Sequence, residues 1–329
     1  MRILGIETSC DETSIAVVRD GTIIESNIVA SSIELHKKYG GIVPEIATRH
    51  HVEVILPVLE EALSEANIGL SSIDALAVTQ GPGLIGSLMV GVTFAKSIAY
   101  ALSLPLIPVD HILAHIYSPH LSYKKIDFPY LGLAVSGGHT SLFLVKGFFD
   151  FKLIGKTRDD ALGESFDKVA KMLGLSFPGG PEIEKRAARA VKRDTLFTVP
   201  KVKNSCDLSY SGLKTAVLYY LKKHENIEDS DVNDICYSFQ ESALRSLLLK
   251  VEQALSDFQL KRVVAGGGVT ANSRLRELLT KLDADVYLAD KKYSSDNAGM
   301  VAGFAYQLYN KRKEIGSDLS FEPYSVFEE

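Results

Sequence analysis

Cysteine is scarce in this chain. Three residues in 329, Cys10, Cys206 and Cys236, stand far apart with no Cys-x-x-Cys spacing. Such scatter argues against a disulfide framework and a structural zinc module. No apolar run approaches the ~20 residues of a membrane span. The opening Met1-Arg-Ile-Leu-Gly-Ile6 runs directly into an alternating strand pattern and leaves no room for a signal peptide. The expectation is a soluble, cytoplasmic protein with no membrane partner. Basic excess is lacking as well, since the formal net charge is −5. Proteins that live by non-specific phosphate contacts are normally basic, so any nucleic-acid role needs a local patch or help from partners. The Walker signature Gly-x4-Gly-Lys-Ser/Thr occurs nowhere. No low-complexity tract or Pro/Ser linker interrupts the chain, which predicts tightly packed halves.

Apolar residues, by contrast, are plentiful. A hydrophobic content of 46% over this length suggests two domains with sizeable cores. An internal repeat supports that division. Leu4-Gly-Ile-Glu-Thr-Ser-Cys-Asp-Glu-Thr-Ser-Ile-Ala-Val-Val18 aligns without a gap on Leu131-Gly-Leu-Ala-Val-Ser-Gly-Gly-His-Thr-Ser-Leu-Phe-Leu-Val145, with identical pairs that include Leu4/Leu131, Gly5/Gly132, Ser9/Ser136, Thr13/Thr140 and Ser14/Ser141. Each copy reads as a β-hairpin with a small, polar tip. Later segments keep the same order. Asp74–Gly83 and Lys261–Thr270 are strands running into glycine loops, followed by helices near 87–102 and 271–282. Leu106–Asp110 and Val286–Asp290 are short strands, each leading to a loop and a helix. Strands alternating with helices in two equivalent halves predict an α/β fold with mixed sheets, duplicated about a pseudo-twofold with a central cleft.

His111-Ile-Leu-Ala-His115 carries the sharpest chemistry. Two imidazoles four residues apart share one helix face, as two ligands of a transition metal require. Ile112 stands where a hydrolytic His-Glu-x-x-His site needs its Glu, so no adjacent base exists to activate water. The repeat places Asp296, at the start of a helix in Ser294–Met300, at an equivalent strand end. His111, His115 and Asp296 are therefore expected to meet at the cleft as three ligands with an open position, a catalytic pattern.

Other segments admit two readings each. Ser136-Gly-Gly-His-Thr140 is either a tight turn needing positive φ or a tip whose N–H groups wrap an anionic or carbonyl oxygen. Gly266-Gly-Gly-Val-Thr-Ala-Asn272 suits close approach of a nucleotide at a helix N-terminus. Asp11 and Glu12 serve the turn, or aim a carboxylate into the cleft as a base or a metal-water ligand. Asp167 and Glu184 are helix-surface charge, or acceptors for ribose hydroxyls. Lys185, Arg186, Arg189, Lys192, Arg193, Lys201 and Lys203 form a solvated helix face or a polyanion contact.

Taken together, Gly5–Ser14, Tyr39-Gly-Gly-Ile-Val-Pro-Glu45, Gly81-Pro-Gly-Leu84, His111-x3-His115, Ser136-Gly-Gly-His-Thr140, Gly163-Glu-Ser-Phe-Asp-Lys168 and Ser295-Asp-Asn297 resemble the TsaD/Kae/Qri family along essentially the whole chain, in order. The resemblance implies the fold of actin, sugar kinases and the heat-shock ATPases. It implies residues 1–118 as an N-terminal subdomain, 119–296 as a C-terminal one, and a terminal helix from about 297 to 329 packing back on the first. The implied activity is transfer of threonylcarbamoyl from threonylcarbamoyl-AMP to N6 of the tRNA adenosine 3′ of the anticodon, in tRNAs reading codons that start with adenine. His111, His115 and Asp296 would hold one iron(II), alternatively zinc, per chain. Ala134, Val135, Ser136, Gly137, Gly138, Asp167, Gly180, Glu184 and Asn272 would bind the adenylate, with Asp11 and His139 as catalytic participants. Implied partners are tRNA, a TsaB-like paralogue and a TsaE-like P-loop ATPase. Competing expectations are a metalloprotease on the His pair, a magnesium-dependent kinase or ATPase of the same fold, and a non-catalytic scaffold.

Overall fold

The computed structural model describes residues 1–203, 205–224, 226–311 and 318–325. They fall into two compact units, Met1–Ile126 with the segment from Ala289 onward, and Asp127–Leu288.

The first unit is built on β1 (Arg2–Glu7), β2 (Glu12–Arg19), β3 (Ile23–Ser31), β4 (Ala75–Gly81) and β5 (Leu106–Asp110). Their order is β3-β2-β1-β4-β5, antiparallel through the hairpins and parallel from β1 to β5. Four helices accompany them, α1 (Ile33–His36), α2 (Pro44–Glu65), α3 (Ile85–Leu102) and α4 (His111–Tyr117). Strand alternation sends Leu4, Ile6, Ile15 and Val17 to one face, where Ile55, Leu59, Val92 and Ala95 of α2 and α3 close the core. α3 is an exception to the expectation that nothing approaches a membrane span, being 18 residues long and apolar enough by composition. Its inner face, including Leu88, Val92 and Ala95, is nevertheless buried within this unit.

The second unit repeats the plan. β6 (Tyr130–Val135), β7 (Thr140–Gly147), β8 (Asp150–Lys156), β9 (Arg262–Gly266) and β10 (Asp285–Leu288) run in the order β10-β9-β6-β7-β8. Gly5 faces Ala16 in the first hairpin and Gly132 faces Phe143 in the second, the same offset of 127 on both strands. The repeat in the sequence is thus a repeat of register. Helices α5 (Leu162–Met172), α6 (Gly179–Ala187), α7 (Ser211–Lys223), α8 (Asp229–Asp257) and α9 (Ser273–Leu279) complete the unit. α8 is its spine, with Ile235, Phe239, Ala243, Leu247, Val251 and Ala254 buried on one side.

The helix expected from 271 to 282 is shorter, because Asn272 accepts from the Leu275 N–H and caps α9 after a 3-10 turn over Gly268–Ala271. The last helix, α10 (Ala298–Lys311), belongs to the first unit and lies on the second face of its sheet. It begins after Asp296 because Asn297 Oδ1 accepts from Met300 N–H and Ser14 Oγ from Ala298 N–H. Residues 318–325 are not helical. Segments 119–126 and 289–296 also go with the first unit, since the turn after α4 contacts α10 and Ser122 Oγ accepts from Asp290 N–H. Asp296 therefore lies in the same unit as the two histidines.

Candidate metal centre and nucleotide grip

Asp110 ends β5 and caps α4, its Oδ1 accepting from Leu113 N–H at 2.8 Å. The cap fixes where His111 starts the helix. Every residue of α4 is buried. One turn later His115 lies edge-on to His111 with ring centroids 4.5 Å apart. Asp296 reaches both rings, its Oδ1 standing 3.6 Å from His111 Nε2 and 3.0 Å from His115 Nε2. One ligand atom from each of the three lies within 4.8 Å of the others. Around an ion bound at about 2.1 Å, neighbouring ligand atoms sit roughly 3–3.6 Å apart, and the two distances from Asp296 to the imidazoles fall in that range.

His115 adds a second test. Its two ring nitrogens are buried and make no hydrogen bond, and the 3.0 Å approach to Asp296 lacks hydrogen-bond alignment. An unsatisfied buried imidazole is costly unless something else takes its lone pair. Two imidazoles and a carboxylate that converge without bonding one another have the donor set of a divalent transition metal. The three side chains come together, but inside one unit.

Behind them sits a carboxylate that the sequence reading missed. Glu7 is fully buried in β1, and its Oε2 lies 3.1 Å from His111 Nδ1. Thr79 Oγ1 donates to the same oxygen at 2.6 Å, and Ser9 N–H donates to Oε1 at 2.5 Å. Ser9 Oγ also approaches His111 Nδ1, at 3.2 Å. Burial alone would push the His111 ring down, but the Glu7 and Asp296 carboxylates outweigh it and hold the ring at about 9. Burial would raise the Glu7 carboxyl, and the His111 attraction brings it below its ordinary value instead. A carboxylate on Nδ1 leaves Nε2 for a metal, the usual outer-shell arrangement. A lone Glu inside the otherwise apolar Ile3-Leu-Gly-Ile-Glu7 was the available signal.

Asp11 stands at the tip of the β1–β2 hairpin. Its carbonyl accepts from Ser32 N–H and Ser32 Oγ at 3.0 and 2.9 Å. His51 Nε2 lies 3.0 Å from the Cys10 carbonyl, and its Nδ1 lies 2.7 Å from Thr13 Oγ1. A carbonyl only accepts, so Nε2 carries the proton. The turn is thus held from behind while Asp11 Oδ2 is buried with no hydrogen-bond partner. Burial, reinforced by the Asp296 charge, lifts this carboxyl above its ordinary value. Glu12 is raised further for the same reasons.

The remaining candidates belong to the second unit. Ala134 and Val135 end β6, and Ser136 closes the tip, with Ser136 N–H donating to the His139 carbonyl and Ser136 Oγ accepting from His139 N–H. Neither Gly137 nor Gly138 has the positive φ that a strained turn would require. A Cβ on either would meet nothing within 4 Å, so clearance rather than torsion distinguishes them. Close approach does demand glycine at 267, with φ of 100° and a hypothetical Cβ 2.3 Å from the Val135 carbonyl. Asp167 Oδ1 accepts from Gly179 N–H at 2.7 Å, at the start of the helix that carries Gly180 and Glu184. Glu184 Oε1 accepts from Ser273 N–H at 2.9 Å, and Asn272 Nδ2 donates to Gln240 Oε1. Asp167, Glu184 and Asn272 therefore tie α5, α6, α8 and α9 together around the glycine loops.

The basic series is not one helix face. Lys185 and Arg186 lie on α6, whereas Lys192, Arg193, Lys201 and Lys203 lie outside any helix. A different surface stands out in the first unit, where Val52 and Leu56 of α2 and Ile85 and Met89 of α3 are exposed by 62, 53, 48 and 55%.

Residues 23–303 match the sequence model of a family described as TsaD, tRNA N6-adenosine threonylcarbamoyltransferase. A protein of that name from Thermodesulfovibrio yellowstonii is 50% identical over 318 residues, covering 94% of this chain and 95% of its own length. Another, from Anaeromyxobacter sp., is 45% identical over 329 residues and covers 98% and 99%. Among solved structures, component A of the Acidaminococcus fermentans (R)-2-hydroxyglutaryl-CoA dehydratase superposes with a TM-score of 0.57 at 15% identity, over 94% of this chain and 99% of that one. That likeness concerns the fold alone, which is of the actin-like ATPase type.

Proposed function

This chain belongs to the TsaD family of tRNA N6-adenosine threonylcarbamoyltransferases, and is thus a tRNA-modifying transferase; we propose that it moves threonylcarbamoyl from threonylcarbamoyl-AMP to N6 of the adenosine 3′ of the anticodon, releasing AMP. The observation that carries this reading is the convergence of His111, His115 and Asp296, together with a partnerless Asp11 carboxylate oxygen whose group feels the Asp296 charge.

The donor is a mixed anhydride and already activated, so orientation and charge stabilisation matter more than a covalent nucleophile. One iron(II) or zinc held by His111, His115 and Asp296 would supply Lewis-acid stabilisation to an oxygen of the adenylate. Glu7 keeps His111 in the tautomer that leaves Nε2 available. Gly137 and Gly138 N–H groups hold phosphate oxygens, with Ala134, Val135 and Ser136 framing the approach. Asp167, Gly180, Glu184 and Asn272 grip the nucleoside. Adenine N6 is a poor nucleophile and must lose a proton, and Asp11 or His139 accepts it. Asp11 is the better placed in chemistry, because burial has made its carboxylate more basic. Proteolysis is disfavoured by Ile112, an apolar side chain buried where a hydrolytic base would stand.

Partners follow from the surface. The apolar row Val52, Leu56, Ile85 and Met89 suits a paralogous subunit, while a net charge of −5 suits a chain that grips tRNA with help. A P-loop ATPase and a cytoplasmic setting complete the proposal. The test is a mass-resolved nucleoside assay with tRNA, synthetic threonylcarbamoyl-adenylate and reconstituted partners. Threonylcarbamoyladenosine should form, and Asp11→Ala should reduce it while bound metal persists. No product with every component present would overturn the reaction, and joint loss of metal and activity in Asp11→Ala would overturn the base assignment.

A further inference from the structure

Asp110 has two carboxylate oxygens and two tasks. Oδ1 caps α4, as described, and Oδ2 accepts from the Tyr324 hydroxyl at 2.6 Å. Tyr324 lies in the segment 318–325, more than two hundred residues further along the chain. A chance surface contact would leave the rest of that segment loose, yet it is anchored at several further points. Leu319 and Phe321 pack against the core under α2 and α3. Lys96 Nζ donates to the Phe321 carbonyl at 2.6 Å and stands 4.9 Å over the Phe321 ring. Gln80 Nε2 donates to the Glu322 carbonyl at 2.7 Å, and Tyr324 N–H donates to the Gln80 carbonyl at 3.2 Å. Gly81 gives the segment room, because a Cβ there would fall 2.3 Å from the Tyr324 carbonyl oxygen.

We propose that this terminal segment is a strap that positions the metal helix, with Tyr324 as the positioning residue acting through Asp110 on His111. α4 is only seven residues long and its first residue is a ligand, so it has no spare turn to absorb a shift at its cap. Asp110 fixes that first turn only while its own carboxylate is oriented, and the phenol supplies the orientation. Free of the phenol, the carboxylate would turn about its side-chain torsions and the cap hydrogen bond would lengthen. His111, the first residue of α4, would then shift relative to Asp296, which does not lie on that helix. The proposal rests on the metal reading given above and adds a determinant to it.

Tyr324→Phe removes one oxygen and leaves the ring and every other strap contact in place. Cobalt(II) is the probe, titrated into the full-length protein and its variants, with affinity and the visible ligand-field spectrum as readouts. The expected result is an affinity lower by roughly threefold to tenfold, below the 10–100-fold of a partner touching a ligand directly, with a changed band envelope. Asp110→Asn should recover most of the affinity lost in Asp110→Ala, because an amide can still cap the helix. Lys96→Ala, which loosens the strap away from the hydroxyl, serves as the stability comparison. Cobalt affinity within twofold of the parent and an unchanged spectrum in Tyr324→Phe would overturn the proposal, whatever happens to the melting temperature. Failure of the parent protein to bind one cobalt per chain would instead overturn the metal reading, and this proposal with it.

Discussion

Glu7→Gln is the most informative single substitution, because it changes one atom and leaves the shape of the site intact. Glu7 accepts on both oxygens, from Ser9 N–H on Oε1 and from Thr79 Oγ1 and the His111 ring on Oε2. Glutamine has one acceptor and one donor end, and neither orientation serves all three. With NH2 toward Oε1's position, two N–H groups face each other at Ser9, a buried conflict of about 1–3 kcal/mol. With NH2 toward His111, Nδ1 becomes an acceptor and the proton moves to Nε2, which can then no longer bind a cation. Loss of such a partner typically costs 10–100-fold in metal affinity, or about 1.4–2.7 kcal/mol. Competition against a calibrated chelator measures the affinity, and thermal unfolding measures the stability. The variant should lose in at least one of the two. Metal affinity within twofold and an unchanged melting temperature together would refute the role given to Glu7.

Two glycines of the second unit should respond in opposite ways. Gly163→Ala puts a Cβ 2.7 Å from the Ser136 carbonyl and 2.8 Å from Gly137 Cα, and should destabilise by roughly 1–3 kcal/mol in urea unfolding. Gly137→Ala meets nothing, so it should melt like the parent and yet raise KM for the adenylate. Asp160, with its side chain 11% exposed, accepts from Lys168 at 2.5 Å and Lys214 at 2.6 Å. Burial alone would raise its carboxyl, but the two ammonium groups outweigh that and lower it. Its contribution is therefore present above the ordinary carboxylate value and disappears as pH falls through the lowered one. Asp160→Asn should cost about 1–3 kcal/mol at neutral pH and progressively less in acid, read from denaturant curves at several pH values.

Much of the first unit's chemistry was legible because helical spacing is local. An i,i+4 pair needs only a helix to put both rings on one side, and α4 supplies it. The hairpin repeat was legible for a similar reason, since register follows from pattern. What escaped were the supports. Glu7, Thr79, Ser14 and Asn27 are far apart in sequence, and only pairing of β1 with β2 and β4, and of β2 with β3, makes them neighbours of His111 and the start of α10. The placement of Asp296 shows the limit most clearly. Repeat symmetry suggested a ligand from the opposite half, whereas the chain crosses back after β10 and delivers Asp296 from the first unit, just before its last helix. The structural task of Asn272 was equally hidden, since its side chain caps α9 and bonds Gln240, a residue of α8 more than thirty positions earlier.

The discontinuity of the first unit has a consequence during synthesis. Its sheet emerges from the ribosome early, but the helix that covers its second face comes only after the whole second unit has been made. Until then, Gly5 has nothing resting on it at the place where the Ala298 carbonyl will later come so close that no side chain fits. The nascent protein can assemble hairpins and both histidines, and still lack the carboxylate that completes the set. A truncated or stalled product would present an uncovered apolar sheet and an unfinished cation seat.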